Sequence, residues 1–330
     1  MKKYLIYLLL FITLCFLIPV IFTKPFETKT VEVAQNLEEI LHSTYDYKKY
    51  QTVRLLHTKT NKVEELNLDE YLYGVVSAEM PANFEDEALK AQAVVARTYT
   101  LYKIVHNSTK HKNADICDNS SCCQAWISKE DRIAKWSEDK REEYWNKIVK
   151  AVNNTQGKII TYNNEPINAF FHSNSGGATE APINVWGGSG YPYLQSVSTA
   201  GEDVYSQYSS TVTVTQTQFT ETIKKVHSNF KIDFSKKDCI KVKKYTEGNR
   251  VKTIQVGNLS LSGVEMRTLF GLRSANFKIT MEGKNITFEV TGYGHGVGMS
   301  QTGADSMAKQ GSTYDKIIKH FYTGVEIQDI

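Results

Sequence analysis

Apolar and polar positions divide the chain into three stretches. From Tyr4 to Phe22 (YLIYLLLFITLCFLIPVIF) no charge interrupts the apolar run, long enough for the ~20 helical residues that cross ~30 Å of hydrocarbon. Lys2 and Lys3 precede it, which predicts a single-pass membrane helix with a cytoplasmic N-terminus and the rest of the chain outside the membrane. A cleaved signal peptide would have a shorter apolar region and small residues at its end, whereas Lys24, Pro25, Phe26 and Glu27 follow here. Residues 1–24 therefore read as a cytoplasmic stub and anchor. Residues 25–49 are polar apart from a short stretch near Leu37 to Leu41 and read as a tether; residues 50–330 form the globular region.

Within that region the period of the apolar positions changes repeatedly. Thr52 to Leu56 alternates like a strand, with Val63 to Leu66 as its hairpin partner. Leu68, Tyr71, Leu72 and Val75 fall at helical spacing, and Pro81 should end that helix or begin the next. Glu85 to Tyr102 has acidic residues in its first turn and good helix formers after it, which predicts a second helix. Residues 106–125 read as a loop, Glu142 to Asn153 as a helix. Short β-rich runs follow at Lys158 to Tyr162, Ala169 to His172, Ser209 to Val214, Val251 to Val256 and Lys278 to Val290, most of them in a β-rich segment at about 205–290. A helix starts near Ser300, and the last one runs between Thr313 as cap and Gly324 as stop. No long βαβ alternation is present, so the fold class is α+β with mixed helices and short strands.

Composition narrows the functions. A formal charge of +3 is too mild for a nucleic-acid binder, and 41% hydrophobic with 23% charged residues is near the globular average. The glycine run at 292–298 lacks both G-K-[ST] and the G-x-G-x-x-G spacing, which excludes a nucleotide loop. Its alternate glycines suit a tight backbone path that presents His295 beside the following helix. No H-E-x-x-H element points to a zinc hydrolase.

Glu79 is the candidate acid. It lies in V-V-S-A-E-M-P among apolar and small residues at a helix end, a setting that lifts a carboxyl from ~4.3 towards the ~6 to 7 a general acid needs near neutrality. A carboxylate paired with Arg97 or Lys90 is the alternative. Those two cations are two helical turns apart on nearly one face, with Gln92 a turn away from either, so they can line a cleft as sugar or carboxylate donors or form a solvated face. His172, Ser173 and Ser175 cluster in a strand-to-turn segment, where Gly176 and Gly177 permit a sharp turn. They can bind substrate or position Glu79.

His111, Cys117, Cys122 and Cys123 form H-x5-C-x4-C-C in the 106–125 loop. Four soft ligands so close together suit a structural tetrahedral Zn2+. His106 is a reserve ligand. An extracytoplasmic disulfide is the competing reading, with Cys117 bonded to either neighbour, because adjacent Cys122 and Cys123 sit too close for an unstrained bridge. The basic Lys236 to Lys244 stretch can face anionic polymer or be a solvated strand. Trp126, Trp136, Trp145 and Trp186 can be sugar platforms or core.

These motifs together resemble a known family. Y-x-x-G-V-V-x-x-E-M-P followed by L-K-A-Q-A-V-x-A-R-T-Y is similar to the stage II sporulation protein D family. So are Phe171-His-Ser-Asn-Ser-Gly-Gly177, Ser262-Gly-Val-Glu-Met-Arg267 with Leu272-Arg273-Ser274 and Phe277, and Gly292-Tyr-Gly-His-Gly-Val-Gly-Met-Ser-Gln301 with Gly303-Ala304. The resemblance runs from about Leu68 to the C-terminus. It implies a membrane-anchored lytic transglycosylase acting on peptidoglycan glycan strands during forespore engulfment, after a partner cell-wall amidase, held by its own membrane anchor protein, has removed the stem peptides. It places the catalytic glutamate at Glu79, the product as 1,6-anhydro-MurNAc ends, the work between mother-cell and forespore membranes, and a zinc site in the cysteine loop. Some relatives are amidase enhancers, so a glycan-binding scaffold is the second reading.

Overall fold

Alternating burial at Val53 and Leu55 and a left-handed turn residue at Asn61 (φ 58°) fold Thr52–His57 (β1) and Lys62–Asn67 (β2) into an antiparallel hairpin. The computed structural model describes residues 50–106, 111–188 and 191–330; the predicted membrane helix, the tether and residues 107–110 of the cysteine loop lie outside them. Among the described residues no helix is long and apolar enough to cross a membrane.

Asn67 caps Leu68–Glu79 (α1) by accepting the Asp69 N–H, and the helix stops at Glu79 because Met80, extended before Pro81, cannot continue it. Asp86–Val105 (α2) follows. It is buried on nearly every side from Ala88 to Leu101, packed by α1, by Arg141–Asn153 (α4), by Lys158–Tyr162 (β4) and by the two C-terminal helices. Between α2 and α4, Ile116–Cys117 (β3) adds in parallel to β1, and Lys129–Ile133 (α3) is a short helix capped by Ser128. Left-handed Asn163 and Asn164 turn β4 into Glu165–Pro166 (β5).

The predicted Ala169 to His172 strand is only Phe171–His172 (β6), because its partner Met299–Ser300 (β13) is two residues long. Between them lies the β-rich segment. Ser209–Thr215 (β7), Phe277–Glu282 (β11) and Asn285–Thr291 (β12) form one antiparallel sheet in the order β11-β12-β7. Ile240–Tyr245 (β8), Val251–Val256 (β9) and Leu259–Leu261 (β10) form another. The expected Lys278 to Val290 run is thus a hairpin, turned at Gly283 (φ 57°). Gln216–Lys224 (α5), started by a Thr215/Gln218 capping box, and Gly263–Phe270 (α6) close a separate core in which the Phe270 ring lies 4.9 Å from both Phe219 and Phe288. The basic stretch is β8 and its approach; its lysines are exposed, and Lys241 pairs with Asp238.

Gln301–Lys309 (α7), Tyr314–Phe321 (α8) and Glu326–Asp329 (β14) finish the fold, β14 pairing with β4. The helix predicted after Ser300 and the one predicted after Thr313 both form.

Candidate active site

The end of α1 carries Glu79 to the meeting point of two hollows. One, of about 470 Å3, is lined by Phe84, Arg132, Trp136, Tyr144 and Gln207; the other, of about 660 Å3, by Tyr99, Phe170, Trp186, Arg267 and His295. Glu79, Ser173 and Gln301 line both, so the hollows are two arms of one cleft. Glu79 is the single carboxylate among the described residues lining either arm. Burial raises its pKa, and two donors partly oppose the shift: the Ala125 N–H, 2.6 Å from Oε1, and the Gln301 side chain. A carboxyl in this position holds its proton to higher pH than an exposed one.

Of the residues read from the sequence, Ser173, His172 and His295 line the cleft with Glu79. The His172 Nδ1 meets the Val297 carbonyl at 3.2 Å, and its buried Nε2 has no hydrogen-bond partner among the described residues. The ring centroids of His172 and His295 are 5.6 Å apart, and those of Trp186 and His295 5.1 Å. Burial, reinforced by neighbouring Arg267 and Arg250, pushes His295 down to about 4; burial, the His295 ring and Arg250 hold His172 well below its ordinary value. Both imidazoles are neutral at neutral pH. They line the cleft without adding charge, and the His295 Nδ1 accepts the Val297 N–H at 3.0 Å.

The glycine run explains how His295 reaches this place. Gly292, Gly294, Gly296 and Gly298 all have positive φ, and a Cβ on Gly298 would lie 1.9 Å from the Phe170 carbonyl. Only a bare backbone can thread between β6 and Arg250.

Four expectations need correction. Arg97 does not face the cleft: it is fully buried, donating to the Thr155, Val152 and Lys158 carbonyls and pairing with Asp69 at 3.5 Å. It ties α1 and α2 to the turn between α4 and β4. Nor does Lys90 line either arm; it pairs with Glu87 at 2.6 Å, whose other oxygen accepts the Tyr314 N–H. Gln92 is buried behind the cleft, its Oε1 3.5 Å from the Gln301 Nε2, so it backs the residue that touches Glu79. Ser175 belongs to a buried network beside the cleft rather than to its lining.

At the centre of that network is Glu202, which sequence reasoning missed. Its carboxylate accepts from the Ser175, Thr199, Ser300 and Thr302 hydroxyls and the Ser175 and Gly177 N–H groups. Burial acts to raise its pKa, but the donors, led by Ser175 and Ser300, outweigh burial and hold it below the ordinary carboxylate value. Ser300 and Thr302 flank Gln301, so Glu202 anchors the start of α7 and with it the donor to Glu79. Of the four tryptophans, Trp136 and Trp186 line the two arms, whereas Trp126 packs over Gly74 and Trp145 against Tyr73.

The cysteine loop abuts the same carboxylate. One donor atom each from His111, Cys117, Cys122 and Cys123 lies within 4.8 Å of the other three, and no pair is disulfide-bonded. Ligands at ~2.3 Å around a tetrahedral Zn2+ stand roughly 3.8 Å apart, so this donor set fits a closed zinc site. His106 is elsewhere, stacked on Tyr102 with its Nδ1 on the Tyr102 carbonyl. After Cys123 the chain is pinned by the buried Gln124, which donates to Tyr71 and Thr100, and the next N–H, that of Ala125, holds Glu79.

Comparison with known proteins finds a family for the chain. A family model described as "Stage II sporulation protein" matches residues 56–162, the stretch holding Glu79 and the cysteine loop. The chain is 36% identical to stage II sporulation protein D of Bacillus subtilis (strain 168) over 339 residues, covering 100% of this chain and 96% of that protein. Identity to stage II sporulation protein D of Bacillus amyloliquefaciens is 37% over 280 residues, 84% of this chain and 79% of the other. Identity to a Bacillus subtilis protein named amidase enhancer is 28% over 304 residues, 78% of this chain but 40% of that protein. With likeness at this level running along its whole length, the chain belongs to the stage II sporulation protein D family.

Proposed function

We propose that the chain is a lytic transglycosylase that cuts the MurNAc-GlcNAc bond of peptide-free peptidoglycan strands during sporulation. The observation that carries this reading is the partly buried Glu79 carboxyl at the junction of the two arms, the single carboxylate among the described residues lining them. Ordinary glycosidases need two carboxyl groups, about 5 to 9.5 Å apart according to stereochemistry. A transglycosylase that uses the substrate's own hydroxyl needs one. Protonated Glu79 gives its proton to the glycosidic oxygen as the C1–O bond breaks, releasing GlcNAc with a free 4-hydroxyl. The Glu79 carboxylate then takes the C6 hydroxyl proton of MurNAc while O6 bonds to C1, which closes the 1,6-anhydro ring and restores the acid. The Ala125 N–H and Gln301 support the charged interval; burial supports the protonated start.

His111, Cys117, Cys122 and Cys123 are proposed to hold a structural Zn2+ that fixes the loop carrying Ala125. An N-terminal membrane anchor at residues 4–22 completes the proposal. It keeps the cleft outside the cytoplasm, between mother-cell and forespore membranes, beside a cell-wall amidase and that amidase's own membrane anchor protein. The likeness to an amidase enhancer favours one other reading, a glycan-binding scaffold that assists the amidase without turnover. Mass spectrometry of peptide-free strands treated with the purified chain, and with its Glu79→Gln variant, separates the two. Anhydro-MurNAc ends from the parent alone are expected; strands bound but left uncut by both proteins would favour the scaffold.

A further inference from the structure

Each arm of the cleft holds an arginine that meets no carboxylate among the described residues. Arg132 rises from α3 into the first arm, half-buried, with its guanidinium carbon 5.0 Å from the Trp136 ring centroid. Its Nε is buried and has no hydrogen-bond partner among the described residues. Arg267, on α6, lines the second arm together with Trp186; its Nε donates to the Leu272 carbonyl at 3.3 Å, and no Asp or Glu acts on its charge. Burial alone acts on Arg132, and lowers it. Since arginine cannot shed its proton to escape desolvation, each guanidinium gains from an anion.

The arrangement repeats on both sides of Glu79. An indole and a planar cation stand in each arm, and Trp186 leaves half its surface, 51%, open to a ligand. Indole faces take sugar rings, and guanidinium forks take carboxylates in a bidentate grip. Such a cleft suits a linear glycan whose carboxylates recur along the strand. In peptidoglycan the lactyl ether of each MurNAc ends in an amide while a stem peptide is attached, and in a free carboxylate once the peptide is gone.

We propose that Arg132 and Arg267 bind the free lactyl carboxylates of MurNAc residues on either side of the scissile bond, so that the cleft itself selects strands already stripped of peptide. The inference rests on the glycan-cleaving reading and names what that site recognises.

The test compares two probes on one protein. Full-length Glu79→Gln, which binds without turnover, is titrated with peptide-free strands and with the same strands after carbodiimide coupling of methylamine to the lactyl carboxylates. The carboxylate form is expected to bind roughly tenfold tighter, as a charge-assisted contact allows, with a preference that shrinks as salt is added. Adding Arg132→Ala or Arg267→Ala should erase several-fold of the preference while leaving methylamide binding unmoved, and the Lys replacements should restore part of it. Equal affinity for the two strands, or arginine variants that weaken both alike, overturns the proposal. The parent chain, run beside them, separates the two readings. Anhydro ends without any preference would sink the arginine site and leave the enzyme standing, whereas preference without cleavage would do the reverse.

Discussion

Two glutamates on either side of the start of α7, Glu79 partly buried and Glu202 fully so, differ in what surrounds them. Glu79 receives two donors, from Ala125 and Gln301, and burial prevails, so its pKa rises. Glu202 receives four hydroxyls and two N–H groups, and the donors prevail, so its pKa falls. Consecutive residues serve them in alternation: Ser300 and Thr302 bond Glu202 and Gln301 bonds Glu79. Burial by itself therefore does not make an acid catalyst. The number of donors decides whether a buried carboxyl keeps its proton or becomes a fixed charge that holds the structure.

The contrast breaks most sharply at Glu79. Glu79→Gln should slow anhydro-end formation by roughly 10^3-fold, within the range of general acid-base catalysis, measured by mass spectrometry, while strand binding persists. The same variant should melt at a higher temperature than the parent at neutral pH. A carboxyl whose folded pKa is raised loses stabilisation as pH rises above its unfolded value, so the advantage of Gln should vanish below about pH 4.

Glu202→Gln should behave oppositely. It replaces an acceptor oxygen by an NH2 facing hydroxyl and N–H donors, at a cost of about 2 to 4 kcal/mol in urea unfolding. Because the folded pKa of Glu202 is depressed, the parent's advantage is fully present above its unfolded pKa of about 4.3 and is lost as pH falls through the lower folded value. A variant as stable as the parent at pH 7 would contradict the anchoring role.

The loop gives a third test. Cys117→Ser or Cys123→Ser should lower zinc content, melting temperature and cleavage together, because the ligands, Gln124 and Ala125 form one continuous support; activity is expected to fall roughly 10- to 100-fold. Full activity with no metal bound would disconnect loop and acid.

Gln301→Ala removes one of the two donors to Glu79. It should shift the alkaline limb of the pH profile upward, since losing a donor to the carboxylate raises the pKa further. The smallest effect is expected at Lys90→Ala, which breaks a partly exposed i,i+3 pair worth at most about 1 kcal/mol and should leave the cleavage rate unchanged.

How far the sequence foretold this site depended on whether its signals were local. Glu79 stood out because apolar and small residues surround it within its own segment, and the four candidate metal ligands because they share one loop. Arg97 was misplaced because α2 is buried nearly all round, so helical spacing alone cannot say which face is core. Glu202 reads as a loop acid next to Gly201 and Asp203; the hydroxyls that bind it come from Ser175, Thr199, Ser300 and Thr302, three of the four on distant segments. The helices at 68–79, 86–105 and 301–309 were legible from caps and periodicity. The hairpin inside 278–290 was read as one run although Glu282, Gly283, Lys284 and Asn285 interrupt its apolar positions, and Gly283 was the turn signal it offered.

The position of Gln301 along the chain carries a consequence for how the site is completed. Glu79 comes in the first quarter of 330 residues, whereas Gln301, β13 and two of the helices that pack on α2, α7 and α8, lie in the final tenth. A chain that ends before Met299 still carries Glu79 but lacks Gln301 and one wall of the cleft, so the candidate acid has its full set of donors only once the last tenth of the chain has folded onto α2.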